Sequence, residues 1–166
     1  MIVVLMGVSG SGKSTIGALL AERAGVVFAD ADDYHPAANK QKMAAGQPLN
    51  DDDRQPWLET LNRLMLGWEA AGSGGVLACS ALKTKYRATL AAGLPAGSIH
   101  FVLLDGPKEL IAERLAERKH EFMNAKLLDS QMATLERPTK DEADAFAVVN
   151  DRPPDEIVDE ILKKVG

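Results

Sequence analysis

A chain of 166 residues, 46% hydrophobic and 26% charged, is long enough for one domain with a sizeable core and too evenly mixed to be disordered or fibrous. Its net charge of −5 argues against a nucleic-acid binder with a broad basic face, and it has neither an apolar run of membrane-spanning length nor a leader pattern. The single Cys79 cannot form an intramolecular disulfide and fits a reducing compartment, so the expectation is a cytoplasmic protein with no nucleic-acid or membrane partner.

Apolar runs at 2–6, 26–28, 75–79, 99–104 and 145–149 alternate with helix-forming stretches near 13–24, 55–71, 81–92, 107–119, 126–136 and 153–165. Continuous apolar strands alternating with helices predict an α/β fold, a parallel sheet covered on both faces, in a single domain over 1–166. Two stretches do not read as plain connections: an insertion at 30–54 and the segment 119–130. In an open α/β sheet, ligands sit beyond the carboxyl ends of strands, and the first insertion leaves such an end.

The first strand runs directly into Gly7-Val8-Ser9-Gly10-Ser11-Gly12-Lys13-Ser14, followed by a helix-forming stretch from Thr15. Glycines at these positions let backbone N–H groups converge on a phosphate, and the helix N-terminus adds partial positive charge. Lys13 supplies a point charge for the outer phosphates, while the Ser14 hydroxyl suits Mg²⁺. Gly7, Ser9, Gly10, Ser11, Gly12, Lys13, Ser14 and Thr15 are therefore the candidates for binding a nucleoside triphosphate.

The second strand ends in Asp30-Ala31-Asp32-Asp33. Along an extended chain, Asp30 and Asp32 point to the same side. Phosphoryl transfer needs a metal shell beside the phosphates and a group that orients the attacking hydroxyl. Asp30, nearer the sheet, suits the first task with Ser14, and Asp32 suits the second. Asp105, at the end of the fourth strand, competes for the metal, although Asp105-Gly106-Pro107 also reads as a turn. The third strand ends in Cys79-Ser80, where Ser80 offers a hydroxyl to phosphate, water or substrate.

Further motifs are more distinctive. Asp32-Asp33-Tyr34-His35-Pro36, Asn39, Lys42-Met43, Gly46, Pro48-Leu49 and Asp51-Asp52-Asp53-Arg54-Gln55-Pro56-Trp57-Leu58 lie in the insertion, which on this pattern extends over about 30–57. Ala78-Cys79-Ser80-Ala81-Leu82-Lys83, Tyr86-Arg87, Arg114, Arg118, Phe122-Met123 and the stretch from Leu127 to Pro138 continue the pattern. Together they resemble the gluconokinase family, small ATP-dependent kinases of the shikimate-kinase-like group. The resemblance implies a three-layer P-loop kinase fold with five parallel strands in the order 2-3-1-4-5 and a mobile lid at about 119–130. It also implies ATP and Mg²⁺ as cofactors, transfer of the γ-phosphoryl to the 6-hydroxyl of D-gluconate, and a homodimer. Related kinases of shikimate, nucleoside monophosphates or other sugar acids, and a non-catalytic nucleotide-binding module, are the alternatives. Ala31 departs from the glycine often found at that position.

Gluconate is a polyol with a carboxylate, so its site needs hydroxyl-bonding groups and a fixed cation. The planar fork of Arg54 matches a carboxylate. Lys83 and Arg87, four residues apart, are expected on one helical face, to bind the substrate carboxylate or phosphates or else to be solvated. His35 is a polyol contact or a structural turn residue, and Trp57 is core. By resemblance to small kinases, Arg114 would stack on adenine and Arg118 would reach the phosphates as charge develops in transfer. Position in the fold puts the stretch Asn150-Asp151-Arg152-Pro153-Pro154, Pro153 in particular, in the far wall of the adenine pocket. The catalytic candidates are thus Lys13, Asp32 and Arg118; the substrate candidates are Asp32, His35, Arg54, Ser80, Lys83 and Arg87.

Overall fold

In the computed structural model, which describes residues 1–8, 10–106, 110, 111, 113, 125–139, 142 and 144–166, every side chain of β1 (Ile2–Met6) is buried. The two faces of this strand feed two different cores. Ile2, Val4 and Met6 enter one, and Val3 and Leu5 enter the other. A continuous apolar run is what a central strand covered on both sides requires. β1 pairs in parallel with β3 (Gly75–Ala78) and β4 (Ile99–Asp105). Outside them lie β2 (Val27–Asp30) and β5 (Ala145–Val149), completing the expected order 2-3-1-4-5.

On one face, α1 (Lys13–Ala24) supplies Ile16, Leu20 and Ala21 to the core. The chain then forms α2 (Ala37–Ala44) and α3 (Asp51–Ala71); the latter covers the opposite face with Trp57, Leu58, Leu61 and Met65. Tyr86 and Leu90 of α4 (Thr84–Ala91) join that second core. After α5 (Ala125–Thr134), the last helix α6 (Pro154–Val165) returns to the first face and buries Ile157, Val158 and Ile161 beside α1. These are the three layers expected. No described helix is long and apolar enough to cross a membrane.

Local chemistry moves two boundaries. The helix expected from residue 55 begins at Asp51, because Asn50 and Asp53 cap each other: Asp53 N–H donates to Asn50 Oδ1 at 2.7 Å and Asn50 N–H to Asp53 Oδ2 at 3.0 Å. The helix expected from residue 81 starts only at Thr84, since Ala81 is left-handed (φ 44°) and Lys83 extended (φ −110°, ψ 145°). The insertion is also more ordered than a loop, holding α2 and a 3₁₀ turn, Ala31–Tyr34. Ala31 has no left-handed φ, which is why alanine serves there. Residues 119–124 of the expected lid, and most of the helix expected at 107–119, lie outside the described residues; residues 125–130 open α5.

Candidate functional site

Because all five strands are parallel, their carboxyl ends form one edge. Asp30 ends β2, Ser80 follows β3, Gly7 follows β1, Asp105 ends β4 and Asn150 follows β5. The loop after β1 is tied into this edge from both sides. Gly7 N–H donates to Ser80 O at 3.2 Å, and Asn150 Nδ2, buried, donates to Ser11 O at 2.7 Å. Gly12 begins α1 with φ 96°, and a Cβ there would stand 2.5 Å from Asn150 Nδ2, so only glycine fits. Lys13 Nζ lies back across the loop, donating to Gly7 O at 2.9 Å and Val8 O at 3.1 Å. Ser11 is buried and its hydroxyl has no partner among the described residues, so its anchored group is the main-chain carbonyl. Ser14 and Thr15 are exposed on the first turn of α1. The left-handed glycines and the open helix N-terminus fit a phosphate chain.

Ser14 Oγ donates to Asp30 Oδ2 at 3.2 Å, joining the start of α1 to the end of β2. The other oxygen of Asp30 accepts from Asp32 N–H at 3.0 Å and caps the 3₁₀ turn. A hydroxyl and a carboxylate beside a phosphate loop are a donor set suited to Mg²⁺, which takes few protein ligands when phosphates supply the rest. The Asp32 carboxyl is pushed above its ordinary value, by desolvation first and the Asp30 charge second, while Lys13 and His35 pull it down. As its side chain is 85% exposed, the nearby Asp30 charge is the firmer of the two upward causes. The turn itself is held by Trp57, whose Nε1 donates to Ala31 O at 2.7 Å. Trp57 also stacks on His35 with ring centres 4.2 Å apart.

Cations gather on the adjoining surface of α3 and α4. Arg54 NH1 donates to Tyr86 Oη at 3.1 Å, and Tyr86 in turn donates to Asp51. Lys83 Nζ bonds Asp51 at 3.2 Å and lies 5.5 Å from the centre of the Tyr86 ring. Lys85 reaches the same carboxylate. Hydrogen bonds from Lys85, Tyr86 and Lys83 hold the Asp51 carboxyl well below the usual range, and Asp51 raises Lys83 correspondingly. This cluster orders Lys83 against Asp51 directly and Arg54 through Tyr86. Four of the five Arg54 N–H groups have no hydrogen-bond partner among the described residues.

Comparison with known proteins gives these groups a family. A family model described as shikimate kinase matches residues 9–166. The chain is 46% identical over 170 aligned positions to a probable gluconokinase of Dictyostelium discoideum, covering 98% of this chain and 84% of that protein. It is 42% identical to the thermoresistant gluconokinase of Escherichia coli strain K12, over 98% of this chain and 94% of the relative. A solved gluconokinase from Sinorhizobium meliloti superposes with a TM-score of 0.87 at 42% identity, over 99% of this chain and 90% of that one. The chain belongs to the gluconokinase family. It is therefore a kinase, and the P-loop kinase fold comes with that membership.

Within this gluconokinase-family chain, one candidate cation faces away from the others. Arg87 is 2% exposed and donates to both oxygens of Glu142 at 2.9 and 2.8 Å, to Ala81 O at 3.1 Å and to Thr84 Oγ1 at 3.2 Å. The pairing with Lys83 on one helical face fails because Lys83 precedes the helix, as its cap. Arg87 instead clamps the loop after β3, so its expected contact with substrate is not what this geometry offers. Asp105 is likewise engaged: Arg137 binds both its oxygens at 2.6 and 2.9 Å and lowers its pKa. Of the two candidate metal carboxylates, Asp30 is the one beside Ser14. Ser80 is half-buried at the edge, and Pro153 is exposed, capping α6. Ser9, Arg114 and Arg118 lie outside the described residues. Burial pushes the Cys79 thiol up to about 12, consistent with inert packing. Sequence reasoning missed Asn150 as the anchor of the phosphate loop and Tyr86 as the bridge between Arg54 and Asp51. A polar residue just beyond the last apolar strand was the one available signal for Asn150.

Proposed function

We propose that this gluconokinase-family chain transfers the γ-phosphoryl of ATP to the 6-hydroxyl of D-gluconate, giving 6-phospho-D-gluconate and ADP. The observation that carries the reading is the Ser14–Asp30 bond, which sets a hydroxyl–carboxylate pair beside Lys13 with Asp32 two residues further on. The relatives named gluconokinases support the acceptor.

In this reading the backbone of residues 7–15 wraps the phosphates, and Lys13 leaves the loop carbonyls for the outer phosphate oxygens. Ser14 and Asp30 hold Mg²⁺, which offsets phosphate charge when bound. Asp32 orients the 6-hydroxyl and accepts its proton as the new P–O bond forms and the bond to the ADP oxygen breaks. Arg54 leaves Tyr86 and Lys83 leaves Asp51 to bind the gluconate carboxylate. His35 and Ser80 border the polyol. Arg118 meets the spreading charge, Arg114 and Pro153 flank adenine, and the 119–130 segment closes over the nucleotide to exclude water. Catalysis then rests on positioning and fixed charge, without a phosphoenzyme.

ADP release measured with ATP and Mg²⁺ tests the assignment across gluconate, shikimate, nucleoside monophosphates and other sugar acids. Gluconate is expected to stimulate release most strongly. Stimulation by another acceptor alone would overturn the substrate, and nucleotide binding without acceptor-dependent release would overturn the chemistry. A cytoplasmic homodimer is part of the same reading, checked by fractionation and sedimentation.

A further inference from the structure

A chain of hydrogen bonds crosses the insertion, and its polarity is set at the far end. The main-chain carbonyl of Asp53 can only accept, and it takes a bond from Asn39 Nδ2 at 2.9 Å. The buried Asn39 amide is therefore turned with its nitrogen inward, and the same nitrogen lies 3.2 Å from His35 Nδ1. Nδ1 must accept, so the neutral ring carries its proton on Nε2. Nε2 is 3.9 Å from Asp32 Oδ1. Protonating the ring would bring two donors together at Nδ1, and burial already lowers the His35 pKa. Stacking on Trp57 fixes the ring plane. Asp53 is itself held, by the cap with Asn50 and by Lys42 at 2.9 Å from each carboxylate oxygen.

We propose that Asn39 is a positioning residue for phosphoryl transfer: by donating to Nδ1 it selects the Nε2–H tautomer of His35, so that the ring offers Asp32 a donor and not a lone pair. Among the described residues the Asp32 carboxylate accepts no hydrogen bond within 3.5 Å, and His35 is the cation-forming side chain nearest to it. The 3.9 Å gap exceeds a hydrogen bond and closes when the exposed Asp32 side chain turns toward the ring. The opposite tautomer would repel the carboxylate into solvent and leave the acceptor hydroxyl unaligned. The consequence for turnover rests on Asp32 taking the acceptor proton; the tautomer does not.

Long-range proton–nitrogen NMR of protein labelled with ¹⁵N-histidine reads the tautomer directly, and His35→Gln identifies the His35 signal among the three histidines. The wild type is expected to show Nε2–H. Asn39→Asp, which replaces the donor by an acceptor, is expected to move the ring to Nδ1–H. The same variant should lower kcat about tenfold or more while KM for gluconate changes less than about threefold. In the His35→Gln background, whose amide keeps a donor near the Nε2 position whatever stands at 39, Asn39→Asp should cost little more. An additive loss there, or an unchanged tautomer in Asn39→Asp, overturns the proposal. An Nδ1–H ring in the wild-type spectrum overturns it without any variant. Should gluconate prove not to be the acceptor, the spectra decide the tautomer all the same.

Discussion

On the donor side of the cleft the main chain does most of the holding. Left-handed glycines shape the loop, and its Gly7 N–H and Ser11 carbonyl are tied to Ser80 and Asn150. On the acceptor side the holding passes through side chains: Tyr86 to Arg54 and Asp51, Asn39 to His35 and Asp53, Lys42 to Asp53. That side is also braced from behind. Glu136 N–H donates to Leu82 O at 2.7 Å, its carboxylate accepts from Thr84 N–H at 2.8 Å, and Glu142 grips Arg87. A backbone cradle tolerates changes at most of its side chains, whereas a side-chain network is exposed to the loss of one atom. Substitutions on the two sides should therefore fail differently.

The largest effect is expected from the brace. Arg87→Met leaves Glu142 uncompensated where the pair had been shielded, and breaking such a pair costs about 3–5 kcal/mol of stability. Denaturant unfolding measures it. If Arg87 bound substrate instead, stability would hold and KM for gluconate would rise. Next come the groups proposed to act in transfer. Lys13→Ala and Asp32→Asn should each lose about 2–4 kcal/mol of transition-state stabilisation, read as kcat/KM, on the scale of preorganised contacts. Asp32 is exposed, so Asp32→Asn should move the unfolding midpoint little. Near-normal turnover in Asp32→Asn would remove it from the hydroxyl-positioning role.

The same contrast explains how much could be read beforehand. The donor side lies within Gly7–Thr15, where residue type, spacing and the preceding strand all speak locally, and the three-layer fold followed from strands apolar on both faces. The acceptor side is assembled from residues 31 to 142, and its candidates came mainly from the resemblance. Spacing misled at Lys83 and Arg87, because helical periodicity was applied across a residue whose extended backbone ends the loop before the helix. Nothing local to Arg87 announces Glu142, fifty-five positions away. The sequence already favoured Asp30 over Asp105 for the metal, but nothing local to Asp105 announces Arg137, thirty-two positions away.

A smaller test sharpens the acceptor side. Tyr86→Phe deletes the hydroxyl that accepts from Arg54 and donates to Asp51, at a cost of about 1 kcal/mol for a net hydrogen bond. If Arg54 takes the gluconate carboxylate, freeing it from Tyr86 should alter KM for gluconate and leave KM for ATP unchanged. Arg54→Lys should raise the gluconate KM further, since an ammonium lacks the planar fork.

The smallest effect separates the two carboxylates that competed for the metal. Arg137 is 59% exposed, so its bond to Asp105 is worth about 1 kcal/mol or less despite the bidentate geometry. Its sign is nevertheless fixed. Arg137, then the Gly106 N–H, lower the folded pKa of Asp105 below an unfolded value of about 3.9. The pair's contribution is therefore fully present above that value and is lost as pH falls through the folded pKa. Arg137→Ala should remove this part of the acid dependence of stability while leaving the Mg²⁺ dependence of turnover unchanged. Asp30→Asn should do the reverse, raising the Mg²⁺ required and sparing the acid limb. A raised Mg²⁺ requirement in Asp105→Asn, with none in Asp30→Asn, would transfer the metal from the end of β2 to the end of β4.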